Sequence, residues 1–287
     1  MNRVLLLTGT SSGIGLHTAV QAARAGWTVV ATLRDPDTAE PLRTAAAAAG
    51  VELDVRRLDV TDPAGIDQCV SDVVSTHGRI DAVINNAGWA ATLPTIEQCS
   101  MTDYRAGFEV NFFGVVQVTR AVMPHLRRTG GRLITVGSTR GLIAQPFNEC
   151  YSAAKFAVEG FLESLAPTAK AMGVDVVIVE PGPVIGTDFG AKSGQTRDSM
   201  LSAAGDYATV MESYLDWFAD AGFPGAQTAE ELADLLVEVL DRPEPGFRIM
   251  SSNWATQFAL RKLIEPEGER ILAMTSAWVA GDRNVGP

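Results

Sequence analysis

The chain has 287 residues, 46% of them hydrophobic and 20% charged, and 23 basic against 34 acidic side chains leave a formal net charge of -11. This is the composition of a soluble globular protein, and it excludes disordered, collagenous and disulfide-scaffold classes. A sequence pI near 4.8 and no Lys/Arg cluster also remove the basic footprint that nucleic acids and anionic membranes need, so neither is an expected partner.

In chain order, short apolar runs rich in β-branched residues predict strands at 4–8, 28–32, 51–58, 82–85, 132–137 and 174–180. Amphipathic stretches between them predict helices at 14–25, 37–49, 63–76, 102–128 and 150–172. Strict alternation of the two implies an α/β architecture with a doubly wound, mostly parallel sheet, and near-continuous apolar strands imply burial on both faces. Gly26, Gly50, Gly78 and Gly173 follow helices, where a left-handed residue ends the helix cheaply. The run Ala45 to Ala49 reads as high helix propensity on a packed face. Beyond 190 the pattern becomes mainly helical, with a late strand at 247–251 and a helical tail. No linker divides the chain, so a single domain over 1–287 is expected, with a lid at 190–225 and a C-terminal extension at 252–287.

The apolar run at 4–7 is too short for a signal peptide, and no stretch reaches the roughly 18 apolar residues of a membrane span. Cys69, Cys99 and Cys150 lack metal or redox spacing and suit free thiols, which points to a cytoplasmic protein. His17, His77 and His125 show no metal-ligand grouping, so no metal is expected.

Directly after the first predicted strand comes Thr8-Gly9-Thr10-Ser11-Ser12-Gly13-Ile14-Gly15, opening the first helix. Glycines there let backbone N–H groups approach a pyrophosphate at a helix N-terminus. An ordinary glycine-rich turn is the plainer alternative. Gly9-Thr10-Ser11-Ser12-Gly13 also matches a hydrolase nucleophile elbow with Ser11 as nucleophile, but that needs a late histidine base and none follows residue 125.

Tyr151 and Lys155 lie one helical turn apart, and an ammonium beside a phenol lowers its pKa from about 10 toward a useful acid/base range. Ser138 sits at the C-terminal end of a strand, the edge where open α/β sheets hold ligands. A solvated helix face is the competing explanation for a bare Tyr-x-x-x-Lys.

With the spacing Thr-Gly-x-x-x-Gly-x-Gly, Asn85-Asn86-Ala87-Gly88, Asn111, Ser138, Tyr151-x-x-x-Lys155 and Pro181-Gly182, residues 3 to 190 resemble the short-chain dehydrogenase/reductase family. Ala31 to Asp35, Pro146-Phe147-Asn148 and Lys155-Phe156-Ala157 narrow the likeness to the branch of type 1 17β-hydroxysteroid dehydrogenase and related retinol dehydrogenases. The resemblance implies a Rossmann-type fold and a catalytic set of Asn111, Ser138, Tyr151 and Lys155. In that set Ser138 holds the substrate oxygen, Lys155 also binds the nicotinamide ribose, and Asn111 serves a water-linked proton relay.

The implied cofactor contacts are Gly9, Ser11, Ser12, Gly13, Ile14 and Gly15 in the turn, then Leu33, Arg34, Asp59, Val60, Asn86, Ala87 and Gly88. Tyr151, Lys155, Pro181, Gly182 and Val184 complete them. Leu33 stands where an NAD enzyme of this fold carries an acid, and Arg34 follows it, a pair that suits the 2′-phosphate of NADP(H). Two alternatives stay open: a register in which Asp35 meets the ribose, and an Arg34 paired with Asp35 or Asp37. Asp59 can equally neighbour a helix cap. A threonine expected four residues after Gly182 is replaced by Gly186, with Thr187 one later, so a nicotinamide contact there is in doubt.

Family likeness places a substrate lid over 189–223, which carries Met200, Leu201, Tyr207, Met211, Tyr214, Leu215, Trp217 and Phe218. Such a cover suits a bulky apolar ligand. The bland alternative is a helix burying its stripe on the sheet or on a second subunit. Trp89, Ser138, Ile143, Phe147 and Tyr151, with Val184, are the expected pocket residues. The expected substrate is a hydrophobic ketone, aldehyde or alcohol, such as a steroid, retinoid or polyketide-like compound. The family resemblance implies a homodimer or homotetramer paired through helices 102–128 and 150–172, which length and composition alone do not establish. A non-catalytic dinucleotide sensor and a serine hydrolase are the competing functions.

Overall fold

The fold, taken from a computed structural model, is described for residues 3–89, 95–187, 189, 196–221, 225–263, 266–269 and 273. The strands in chain order are β1 (Val4–Thr8), β2 (Thr28–Leu33), β3 (Asp54–Arg57), β4 (Ala82–Asn85), β5 (Arg132–Val136) and β6 (Asp175–Glu180). Next come β7 (Val184–Ile185) and β8 (Gln227–Thr228), which pair only with each other, and β9 (Arg248–Met250), which joins β6. The main sheet runs β3-β2-β1-β4-β5-β6-β9 with every pairing parallel.

The helices are α1 (Gly13–Arg24), α2 (Glu40–Ala49), α3 (Pro63–His77), α4 (Met101–Phe108), α5 (Gly114–Thr129), α6 (Glu149–Ala171), α7 (Arg197–Ala203), α8 (Ala208–Ala221), α9 (Ala229–Asp241) and α10 (Asn253–Ala259). Because successive strand residues face opposite sides, the apolar strands feed two cores. Val4, Leu6, Val83 and Ile178 pack on α3, α5 and α6, whereas Leu5, Leu7, Ile84 and Val179 pack on α1, α2 and α9. This is the doubly wound arrangement that the sequence predicts. The order of strands reverses between β1 and β4, which opens a crevice at their carboxyl ends.

Five local differences have physical causes. β3 is shorter than 51–58 and only half-buried, because it is an edge strand carrying Asp54, Arg56 and Arg57. The helix at 37–49 divides: Asp35 caps a 3-10 turn, Pro36–Thr38, before α2 begins. Within α2 only Leu42 and Ala46 are buried, so the alanine run is mostly a solvent face, unlike the packed face expected. The helix at 102–128 is interrupted by a π turn, Glu109–Phe113, a widening often found at functional sites, and there it buries Asn111. The pair β7 and β8 was not predicted, since two residues each carry no readable period.

No helix among the described residues is long and apolar enough to cross a membrane. Of the expected lid and C-terminal extension, residues 190–195, 222–224 and most of those beyond 263, with the Phe218 side chain, lie outside the described residues.

Candidate active site

The glycine turn after β1 closes backbone on backbone. A Cβ on Gly15 would stand 2.2 Å from the Gly9 carbonyl oxygen, and one on Gly9, whose φ is 73°, would stand 2.7 Å from the Ala87 Cα. Asn86 pins this arrangement: its Nδ2 donates to the Thr8 and Gly9 carbonyls at 2.9 Å each, and Thr8 Oγ1 accepts from the Asn86 and Ala87 N–H groups at 3.0 Å. α1 starts with no acid in its first turn and no capping bond from the Ser12 side chain. Its first N–H groups and its dipole therefore suit a phosphate. Thr187 reaches the same turn from across the crevice, with its side chain 3.3 Å from a Cβ placed on Gly13.

At the end of β2, Leu33 is buried and held opposite Arg57 in the ladder. Arg34 follows, exposed and in no ion pair among the described residues. The Asp35 carboxylate accepts from the Asp37 N–H at 3.1 Å, and neither Asp35 nor Asp37 forms a salt bridge with Arg34 among the described residues. A buried leucine beside an exposed guanidinium fits a 2′-phosphate and offers no acid to a ribose diol. Asp59 Oδ1 accepts from the N–H and Oγ1 of Thr61 at 2.9 and 2.8 Å, while Asp62 caps α3. Val60 packs against Gly114, Pro181 accepts from the Thr139 N–H at 2.9 Å, Gly182 faces the Trp254 ring, and Val184 lies in β7.

Ser138, Tyr151 and Lys155 meet at the carboxyl edge of β5. Ser138 opens the 3-10 turn Thr139–Gly141, its Oγ accepts from the Arg140 N–H at 3.1 Å, and it stands close enough to the Tyr151 phenol to oppose the rise in its pKa. Lys155 is 7% exposed; its Nζ donates to the Val136 carbonyl at 3.0 Å and lies 5.7 Å from the Tyr151 ring centre. Burial pushes the phenol up to about 12, with Glu180 adding to the rise and Ser138 and Arg140 opposing it. Burial likewise draws the Lys155 ammonium down to about 8, against the pull of Glu180 and Glu159. The ammonium thus donates to a carbonyl while standing near the phenol ring, and burial outweighs the groups that would lower the phenol's pKa. The Asn111 amide engages the Trp89 backbone, accepting from its N–H and donating to its C=O at 2.9 Å each. Among the described residues it makes no hydrogen bond to Ser138, Tyr151 or Lys155.

A buried carboxyl pair behind the serine escaped sequence reasoning. Glu180, fully buried at the end of β6, accepts from the Ser138 N–H at 2.7 Å, and Gly137 leaves room for it. Glu159 is paired with the buried Arg248. Glu180 is held protonated well above the usual carboxylate range, by burial first and then by the Glu159 charge, with Arg248 and Lys155 opposing. Glu159 and Glu180 lie against each other, and Glu159 Oε1 and Glu180 Oε1 have no other hydrogen-bond partner among the described residues. The only signal in the chain was an acid ending the apolar run Val176-Val177-Ile178-Val179. Glu180→Gln, which keeps an acceptor for the Ser138 N–H and a donor for Glu159, is expected to hold stability within about 1 kcal/mol in urea unfolding. Glu180→Leu is expected to lose about 1–3 kcal/mol by leaving that N–H unpaired. Equal losses in the two variants would remove the assigned bond.

The residues expected to line a pocket are placed as follows. The Trp89 ring packs on Gly107, Ile143 is half-buried, and Phe147 takes a left-handed φ of 57°, a conformation that costs about 1–3 kcal/mol. Its ring lies 5.4 Å from that of Tyr214 in α8, whose hydroxyl accepts from Gln145 Nε2 at 2.7 Å. Phe189, not singled out from the sequence, lies edge-on to Tyr151 at 5.8 Å. In the segment expected to form a lid, Met211 is buried and Tyr207 donates to Glu97 at 2.9 Å. Val210 and Trp217 are 61% and 62% exposed, so α8 does not bury its whole apolar stripe on the sheet. His17 meets Glu230, His77 meets Asp54 and His125 meets Arg128. No imidazole joins Ser11 among the described residues, which leaves the nucleophile-elbow reading without a base. Burial pushes the Cys69 and Cys150 thiols up to about 11, so neither is a ready nucleophile.

The class defined by this strand order and this carboxyl-edge crevice is the nucleotide-binding α/β oxidoreductases. Within it the chain belongs to the short-chain dehydrogenase/reductase family, since the family profile described as short chain dehydrogenase matches residues 3–198. Over 279 residues it is 35% identical to retinol dehydrogenase 8 of Bos taurus, spanning 93% of this chain and 86% of that protein. Over 288 residues it is 34% identical to 17-beta-hydroxysteroid dehydrogenase type 1 of Homo sapiens, spanning 97% and 86%. The crystal structure of a short-chain dehydrogenase from Streptomyces avermitilis matches with a TM-score of 0.74 at 26% identity, over 100% of this chain and 99% of that one.

Proposed function

We propose that this oxidoreductase interconverts a hydrophobic ketone or aldehyde and its alcohol with NADP(H), Tyr151 being the proton donor and acceptor. The observation that carries this is the gathering of Ser138, Tyr151 and buried Lys155 at the edge of the crevice, with Ser138 close enough to the phenol to pull its pKa down. Two hydroxyls held together can converge on one carbonyl oxygen. When bound, the reduced cofactor supplies the hydride that the carbonyl carbon receives. Tyr151 then gives its proton to the oxygen as negative charge develops there, Ser138 donates a hydrogen bond to it, and the Lys155 ammonium offsets the phenolate left behind. Gly9 to Gly15, Asn86 to Gly88 and Thr187 would line the cofactor, with Arg34 at its 2′-phosphate.

An apolar substrate is supported by Trp89, Phe147, Phe189 and Tyr214 about the site, and by the names of the relatives, a retinol and a hydroxysteroid dehydrogenase. Assembly through α5 and α6 is supported by Phe113 and Phe156, whose rings are left exposed beside and on those helices. Following NADPH absorbance with steroid, retinoid and long aliphatic carbonyls tests the reading. Activity confined to small polar sugars would overturn the apolar pocket.

Reduction needs protons on both Tyr151 and Lys155, and the lysine at about 8 is the first to lose its own. The kcat/KM for reduction is therefore expected to be level below about pH 8 and to fall above it. Lys155→Met is expected to lower the plateau and abolish the fall. A wild-type profile that stays level through the range where the ammonium titrates would contradict this.

A further inference from the structure

Two residues beyond Ser138 stands an arginine that the proposed reaction does not use. The Arg140 N–H donates to Ser138 Oγ at 3.1 Å, and its neighbour Gly141 lies against the Lys155 backbone, so the side chain starts beside the catalytic hydroxyl. The guanidinium lies 5.3 Å from the Phe258 ring centre of α10, half-buried, with the Tyr151 and Tyr214 hydroxyls as its electrostatic neighbours. Among the described residues it has no carboxylate partner, and no hydrogen bond leaves its five N–H donors. Two more cations stand on the same side. Arg261 lies 5.8 Å from the Phe258 ring, while Lys262 lies 4.5 Å from the Phe156 ring and donates to the Leu142 carbonyl at 2.9 Å. Neither forms a salt bridge among the described residues.

Elsewhere in this acidic chain, shielded arginines are matched: Arg56 with Asp54, Arg132 with Asp175, and Arg248 with Glu159. Withdrawing a guanidinium from water without an anion is costly, and contact with one aromatic face offsets only part of that. A planar fork of donors beside the catalytic hydroxyls is shaped for two oxygens of an anion. We propose that Arg140 binds an anionic group, a carboxylate or phosphate, on the substrate, so that the substrate is a carbonyl compound with an apolar body and an acidic end. This rests on the carbonyl-reductase reading and narrows its substrate class.

Calorimetric titration of the full-length protein without cofactor, using decanoate, decyl phosphate and decan-1-ol, tests it in wild type, Arg140→Gln and Arg140→Lys. At least one anion is expected to bind Arg140→Gln about tenfold or more weakly than wild type, with Arg140→Lys between them. Decan-1-ol, which also reports on folding, is expected to change by less than about twofold. Whichever anion loses more identifies the group. Equal loss for all three ligands, or no binding of either anion to wild type, would overturn the proposal. So would an equivalent loss in NADPH affinity, which would assign Arg140 to the cofactor. None of the three probes carries a carbonyl, so the result is separate from the reaction itself, which fails if no ketone drives NADPH consumption.

Discussion

Tyr151→Phe is expected to lower kcat for carbonyl reduction by about 10²–10⁴-fold, the usual contribution of a positioned acid. The phenyl ring keeps the edge contact with Phe189 at 5.8 Å, so the wall of the site survives the change. What disappears is the proton that the substrate oxygen must receive. Ser138 is a poor substitute, because an aliphatic hydroxyl is a far weaker acid than a phenol. NADPH affinity, read by fluorescence titration, should stay within about twofold, because the glycine turn and Arg34 are untouched. Turnover within tenfold of wild type would remove Tyr151 from the reaction.

Arg34→Ala should weaken NADPH binding by about tenfold or more and leave NADH unchanged, since a hydrogen bond to a charged group contributes about 1.5–3 kcal/mol. The geometry makes the effect specific. β2 delivers Leu33 inward and Arg34 outward, and Asp35 is occupied by its own turn. Adding Leu33→Asp should turn the preference toward NADH, because a carboxylate there accepts from the ribose hydroxyls and repels a phosphate. Parallel titrations of the two cofactors read both steps. An Arg34→Ala variant with full NADPH affinity would place the 2′-phosphate elsewhere.

Both variants act at the sheet's carboxyl edge, yet they probe different parts of it. Arg34 bears on which cofactor is held, and Tyr151 bears on what happens to the oxygen once a substrate arrives. The anion proposed for Arg140 would add a third part, the far end of the substrate.

Much of this was legible from the amino-acid order. The strands β1, β4, β5 and β6 were found to within a residue or so because a strand buried on both faces must be apolar throughout, whatever packs on it. The glycine turn was legible because backbone contacts as close as that between Gly9 and Ala87 exclude every other residue. Tyr151 and Lys155 were legible because the helical period alone puts them on one face. Three things depended on tertiary contacts. Whether Lys155 faces the phenol or the Val136 carbonyl depends on how α6 meets β5. Whether Glu180 holds a proton depends on Glu159, 21 positions earlier, and on Arg248 from the far strand. Whether Arg140 is matched depends on which acids the fold brings near it. Sequence determines local period and backbone freedom, which are short-range properties. The charge state of a buried group is set by desolvation and by partners distant along the chain, so only the assembled fold decides it.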